Sequence, residues 1–333
     1  MSSQKQYHER PYSNTDASRT RLDWLSMSFT AKPQLDVDVF EQEFKKVLLE
    51  SIGKEFDHVD KGRGHEYFYH HRKDYYYDSI LCCQIYQYGY TEKQPDMLVV
   101  LTGGFFERYW KTFQYWYNQI FICSKRYINK HSNKISSLRI TRADLTLDIL
   151  EPNHKISDVA DNYNKGYFTS RGQNPRAKII GPIQNENRKS LEGSTIYVGS
   201  PKGDKRFRIY EKGKQLGLAR EMPDWLRYEM TLKARRHVIP LSMIQEIDSY
   251  FLGMLPQKMK EFLEPEFKNV ALKKVPLKDN DGKSKINALV GSAKRTYGPL
   301  IFYMLHEMKM TKEEIVNSLI VAKYPKSLKK EIA

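Results

Sequence analysis

An α+β fold, an antiparallel sheet with helices packed on one face, is what this 333-residue sequence predicts. Three observations lead there. Segments at 21–31, 138–150, 205–212 and 225–235 alternate with the period of two that a half-buried strand requires. A turn signal separates two apolar-alternating runs near residue 200, which is the pattern of a hairpin. Past residue 240 the spacing of apolar residues becomes helical, and the charge there is basic.

The elements follow in chain order. Residues 1–19 are polar, carry no apolar leader core, and are expected to form a flexible tail. RLDWLSMSFTA (21–31) alternates as a strand. Asp36 then caps an expected helix to about Gly53, with Phe40, Phe44, Val47 and Leu48 on one face. Residues 64–90, rich in Tyr, His and Cys, read as strands or a hairpin. MLVVLTG (97–103) is a buried strand, followed by an aromatic helix near 105–128 carrying Phe105, Tyr109, Phe113, Tyr117 and Ile120. LRITRADLTLDIL (138–150) is a second alternating strand, and a helix is expected at 156–164. A Gly-, Asn- and Arg-bearing loop leads to TIYVGS and KRFRIYEKG, which flank the turn Pro201 to Asp204. WLRYEMTLKAR (225–235) is the last strand. Thr311 to Glu314 forms a capping box that opens the last helix.

The expected organisation is a tail (1–19), an α+β core (20–240) and a helical basic region (241–333). TRLDWLSMSF (20–29) and TRADLTLDIL (141–150) share T-R-x-D at the start of an alternating strand. A duplicated strand–helix–strand unit, with halves near 20–135 and 136–240, would explain that similarity, and so would chance.

Composition narrows the function classes. Hydrophobic residues make up 40 % of the chain and mean hydropathy is −0.67, with no apolar run near the roughly 18–20 residues that span a bilayer. A cytoplasmic protein without a membrane partner is the expectation. Three cysteines, Cys82, Cys83 and Cys123, match neither a disulfide framework nor zinc-site spacing. The net charge of +15 points to a polyanionic partner, because each neutralised phosphate releases counterions. Residues 256–333 hold 16 Lys/Arg against 9 Asp/Glu, with Lys-Lys pairs at 273–274 and 329–330. Aromatic residues, 13 % of the chain, are stacking platforms for unpaired bases as well as core material. No phosphate-binding glycine loop or dinucleotide fingerprint is present, and His70-His71 reads as a polar surface pair.

Three strands carry the candidate chemistry. Arg142, Asp144, Thr146 and Asp148 alternate with Ala143, Leu145, Leu147 and Ile149. Arg227, Glu229, Thr231 and Lys233 alternate with Tyr228, Met230 and Leu232. Arg206, Arg208, Tyr210 and Lys212 share a face opposite Phe207 and Ile209. If the apolar faces pack on helices, three carboxylates, several cations and one phenol meet on the other side of one sheet. Carboxylates on a rigid strand suit a hard divalent cation, Mg²⁺ or Mn²⁺. Cations or a metal beside Tyr210 would favour its phenolate as an attacking oxygen. Arg208, Lys212, Arg227, Arg142 and Lys214 would hold phosphate oxygens. The same alternation also describes any one-sided sheet with a solvated polar face.

These segments resemble the replication initiation factor family of rolling-circle plasmids and bacteriophages, to which relaxases of integrative conjugative elements are related. The resemblance runs through DWLSMSF, R-x-D-L-T-L-D (142–148), IYVGS with RFRIYEKGKQ (196–215) and WLRYEMTLK (225–233), and the C-terminal tail looks most like the filamentous-phage branch. It implies a metal-dependent nickase that cuts one strand at an origin, keeps a 5′-phosphotyrosine link and frees a 3′-OH. It maps the nucleophile onto Tyr210 and acidic ligands onto Asp144 and Glu229, with Asp148 and Lys212 as further members. The third metal ligand stays open, because the chain lacks the histidine–hydrophobic–histidine motif of related nickases. Tyr197 is a candidate for a second transfer. Expected partners are single-stranded or hairpin origin DNA, a host helicase and polymerase, and a second copy of the chain. A non-catalytic DNA-binding regulator on the same scaffold and a conjugative relaxase are the alternative functions, and a nuclease that uses water with Tyr210 structural is a third.

Overall fold

The computed structural model describes residues 20–31, 42, 56–64, 67–91, 94–107, 135–170, 172–182, 192–267, 270–276 and 282–319. The N-terminal tail, the helix expected at 36–53 apart from residue 42, the aromatic helix beyond residue 107 and the lysine pair at 329–330 lie outside the described residues. Two compact units divide the chain, Met1–Leu277 and Lys278–Ala333.

The first unit is built on ten strands: β1 (Thr20–Ala31), β2 (Asp57–Gly64), β3 (Tyr69–Tyr77), β4 (Ile80–Gly89), β5 (Met97–Leu101), β6 (Ile135–Ile149), β7 (Ala177–Ile180), β8 (Thr195–Val198), β9 (Lys205–Glu211) and β10 (Leu226–Lys233). They form one sheet in the order β2-β3-β4-β5-β1-β6-β10-β9-β8-β7, and every neighbouring pair is antiparallel. The strands expected from alternation are all present. Two others, β2 and β7, were not expected. β7 is a four-residue edge strand with every side chain exposed, so it has no buried face to create a pattern. The Tyr-rich stretch is a hairpin: Tyr77 pairs with Ile80 across Asp78 and Ser79. Both turn residues have positive φ, 47° and 61°, the geometry that matches strand twist in a two-residue turn.

One sheet face is apolar. Leu25, Met27, Ala143, Leu145, Leu147, Ile209, Met230 and Val99 are each almost completely buried there. Against it pack α1 (Ile156–Asn164), α3 (Ile247–Met254) and α4 (Gln257–Leu263), through Val159, Phe251, Met259 and Leu263. The helix α2 (Lys212–Gln215) is a single turn that continues β9. The helical character expected from residue 241 is observed, but residues up to Leu277 belong to the same compact unit as the sheet. Met243, Ile244, Phe251, Leu252 and Val275 are core residues, so the unit boundary falls later than residue 240.

The second unit contains α5 (Gly282–His306), which accommodates Pro299, and α6 (Lys312–Leu319). The capping box that opens α6 is complete. Thr311 N–H donates to Glu314 Oε2 at 2.7 Å, and Glu314 N–H donates to Thr311 Oγ1 at 3.2 Å. No helix among the described residues is long and apolar enough to cross a membrane.

The sheet repeats itself about the β1–β6 pair. Reading outward from β1 the order is β5, β4, β3, β2, and outward from β6 it is β10, β9, β8, β7. The repeat is thus a five-stranded arrangement, larger than a strand–helix–strand unit. The register obeys the same symmetry. Leu22 lies opposite Leu145 and Leu25 opposite Ala143, while Arg21 lies opposite Thr146 and Ser26 opposite Arg142. Leu22 therefore stands in Ala143's place, Leu25 in Leu145's, Arg21 in Arg142's and Ser26 in Thr146's. A bulge between Leu22 and Trp24 inserts one extra residue into β1.

Candidate active site

On the face opposite the helices, β9, β10 and β6 run side by side in a register that aligns polar residues in rows. Tyr210 lies opposite Arg227, which lies opposite Asp148. Arg208 lies opposite Glu229, which lies opposite Thr146. Arg206 lies opposite Thr231, which lies opposite Asp144. Strand pleating puts these side chains on one surface because the pairing is in phase and the intervening residues are apolar.

Tyr210 and Glu229 are joined by one guanidinium. Arg208 Nη2 donates to the Tyr210 hydroxyl at 3.4 Å and also to Glu229 Oε2. The same guanidinium carbon sits 4.6 Å from the centre of the Tyr210 ring. Asp144 receives Arg142 Nε at 2.9 Å on Oδ1, and Arg142 Nη2 on Oδ2. Asp148 is clamped by Arg227 through Nε at 2.7 Å and Nη2 at 2.9 Å, and its Oδ1 also accepts the Trp225 indole N–H at 2.8 Å. Arg227 reaches across to Asp23 of β1 at 3.2 Å. Lys212 turns to Glu107, 2.9 Å away, and Lys214 to Glu211, 2.7 Å away. Tyr197 is covered by the Arg206 guanidinium at 4.3 Å.

Burial dominates the electrostatics. Tyr210 is 4 % exposed and Glu229 6 %. Burial pushes the Glu229 carboxyl up to about 7; Arg208 pulls it down, while Asp23 and Asp144 push it further up. Asp144 is raised by burial and by Asp23, against the pull of Arg142. The Tyr210 phenol is raised well above its ordinary value. Burial is the first cause, Glu229 and Asp23 add to it, and Arg227 and Arg208 oppose it. The expectation that neighbouring cations would favour the phenolate is therefore corrected: desolvation outweighs them, and the resting phenol is protonated. Among the described residues, the buried Nε donors of Arg206 and Arg208 have no acceptor. Orphaned donors of this kind on a polar face suit an anionic ligand.

Asp23 was not among the expected site residues. Its signal was present in the sequence, as the counterpart of Asp144 in the repeated T-R-x-D. Asp23 raises both Asp144 and Glu229, and Asp144 raises Glu229, so negative charge is crowded there on oxygen-only donors, a set that suits a hard cation. Among the described residues no three such groups stand close enough to enclose an ion as they are oriented. Asp144 and Glu229 are each turned to an arginine. Both oxygens of Asp148 are already committed to protein donors.

Local backbone geometry fixes the end of β9. Lys212 N–H donates to the Trp225 carbonyl at 2.8 Å. A Cβ on the next residue, Gly213, would lie 1.9 Å from the Met222 carbonyl oxygen, so the close passage of these two segments requires glycine.

The replication initiation factor family, Rep_trans, matches the sequence over residues 138–320, more than half of the chain. The chain belongs to that family. The matched span covers β6 through α6 and so includes Asp144, Asp148, Tyr210 and Glu229, but not Asp23. Among solved structures, this replication initiation factor is similar to a rolling circle replication initiator protein from Geobacillus stearothermophilus. The two share 22 % identity over 65 % of this chain and 74 % of that one, with a TM-score of 0.43. No curated protein matches the sequence.

Proposed function

We propose that this replication initiation factor starts rolling-circle replication by nicking one origin DNA strand and holding its 5′ end on Tyr210. The observation that carries the proposal is the link from the Tyr210 hydroxyl through Arg208 to Glu229, on a face where Asp144 and Asp23 add charge to the same patch.

In the forward step the Tyr210 oxygen bonds to phosphorus and the bond from phosphorus to the 3′-oxygen breaks. The phenol proton ends on that released oxygen, leaving a 3′-OH that primes a polymerase. One phosphodiester is exchanged for another, so the reverse step rejoins the strand. Arg208 and Arg206, with Nε donors free of acceptors, hold the non-bridging oxygens, and Arg142 gains the same role once Asp144 is drawn away from it. Arg227, anchored by Asp148, sets the field around the phenol. Lys212 and Lys214 lie just beyond Tyr210, where a strand would leave the site. Asp23, Asp144 and Glu229 would hold Mg²⁺ or Mn²⁺, whose chemistry there is to neutralise phosphate charge and make the phenolate accessible.

The test is incubation of the protein and Mn²⁺ with single-stranded DNA carrying its origin. A protein–DNA adduct that survives boiling in detergent is expected. Tight binding without cleavage would identify a non-catalytic DNA-binding regulator. Cleavage without an adduct would mean attack by water.

A second measurement needs no DNA. With the Glu229 carboxyl titrating at about 7, a proton competes with the metal below that pH. Mn²⁺ affinity measured by calorimetry is expected to rise with pH, by about tenfold per unit at most, and to level off above pH 7. Glu229→Gln should weaken binding and flatten this rise; an unchanged slope would remove Glu229 from the metal site.

A further inference from the structure

The symmetry of the sheet identifies what the first half has become. Ser26 stands in Thr146's place and, two residues on, Ser28 in that of Asp148. Opposite Ser26 and Ser28 lie Val100 and Leu98, and opposite those lie Gln84 and Tyr86. Tyr86 therefore occupies the position of Tyr210, Gln84 that of Arg208, Leu98 that of Arg227 and Val100 that of Glu229. The phenol survives, but the acid and both arginines are gone. Tyr86 itself is fully buried, with Tyr69, Leu98 and Val100. This half keeps the phenol position without the charged groups around it.

Two residues beyond Tyr86 the surface changes character. Phe68 is 66 % exposed, Tyr88 42 % and Tyr90 40 %, and His70 and His71 are exposed beside them. The rings cluster around Tyr90, whose centroid is 4.5 Å from that of His70 and 6.4 Å from that of Phe68, while His71 and Tyr88 form a separate pair at 5.5 Å. The cluster is mounted rigidly. Tyr90 N–H donates to the Phe68 carbonyl at 3.1 Å, and the Gln94 amide brackets both segments through the Tyr67 carbonyl at 2.6 Å and the Tyr90 N–H at 3.1 Å. Gly89 makes room for that amide, since a Cβ there would meet the Gln94 side chain at 2.8 Å. Phe68 and Tyr88 hold positive φ, 61° and 58°, a conformation that bulky residues adopt only when the surroundings impose it.

We propose that this rim is a stacking site for unpaired bases of single-stranded DNA, placed on the same sheet as the candidate nucleophile. It rests on the proposed function only for which strand is held. The occupant follows from the chemistry. Exposed ring faces and imidazoles, rather than aliphatic side chains, make up the patch, and the chain carries +15, so a polyanion that displays flat π-surfaces is the complementary partner. Tyr86 and Tyr210 are five strand spacings apart, roughly 24 Å.

The full-length protein is titrated, without added metal, into fluorescent oligothymidines of about 4 to about 16 nucleotides and into blunt duplex of matching length. Phe68→Ala/Tyr90→Ala is expected to lose about tenfold in single-strand affinity per ring removed, with duplex affinity and melting temperature unchanged. Phe68→Leu/Tyr90→Leu, which keeps apolar area without ring faces, should lose as much, whereas Phe68→Trp should retain binding. Unchanged single-strand affinity in the alanine variant, equal loss on duplex, or full binding by the leucine variant would overturn the proposal. Because no cleavage is read, failure of the nicking reading leaves this test intact.

Discussion

Tyr210→Phe protein is expected to form no detergent-resistant adduct with origin DNA, with nicking reduced by roughly 10⁴-fold or more. The substitution removes one oxygen and little else. Among the described residues the hydroxyl makes a single long hydrogen bond, 3.4 Å from Arg208, whereas the stronger bond of that arginine, to Glu229, stays. Stability should therefore change by no more than about 1 kcal/mol, and single-strand affinity should be retained. An adduct of undiminished yield would move the nucleophile elsewhere, with Tyr197 the next candidate on the neighbouring strand. Tyr86 is no substitute despite its equivalent position, because it is fully buried and has Leu98 and Val100 where Tyr210 has Arg227 and Glu229.

The largest effect on stability is expected at Asp148. Its carboxylate takes two bonds from Arg227 and one from the Trp225 indole, and all three residues are buried. Asp148→Ala removes the two closest bonds of the buried Arg227 guanidinium and leaves it the longer contact to Asp23 at 3.2 Å, at a cost of about 3–5 kcal/mol. The melting temperature of the metal-free protein should fall by roughly 10 °C. Replacing both partners, as Asp148→Leu with Arg227→Met, should recover much of that loss, since no charge is left buried. If Asp148 were chiefly a metal ligand, its alanine variant would instead lose Mn²⁺ affinity and keep its melting temperature.

Much of the half that carries the candidate site was legible because its strands alternate without interruption. Arg208 and Tyr210 against Phe207 and Ile209, or Arg227 and Glu229 against Tyr228 and Met230, leave one register compatible with an apolar core, and that register brings Tyr210, Glu229 and Asp144 onto one surface. Asp23 escaped the same reasoning because the bulge beside it breaks the period of two. Alternation likewise cannot say which cation a carboxylate will face. Asp148 reads as an ionisable group on the polar face, yet its oxygens are taken by Arg227 and by Trp225, the residue just before the observed strand β10. The strand β7 has no buried side and leaves no pattern. That the unit holding the sheet runs on to Leu277 left no pattern for the opposite reason: periodicity reports that Phe251 and Leu252 are helical, but not that they join the sheet's core.

The seam between the two halves joins groups far apart along the chain. Asp23 meets Arg227, and Glu107 meets Lys212, across separations of 204 and 105 residues. A polypeptide emerging from the ribosome thus holds its early acids long before the late cations and the phenol exist to meet them. These ion pairs can therefore form only once both halves of the sheet have been synthesised.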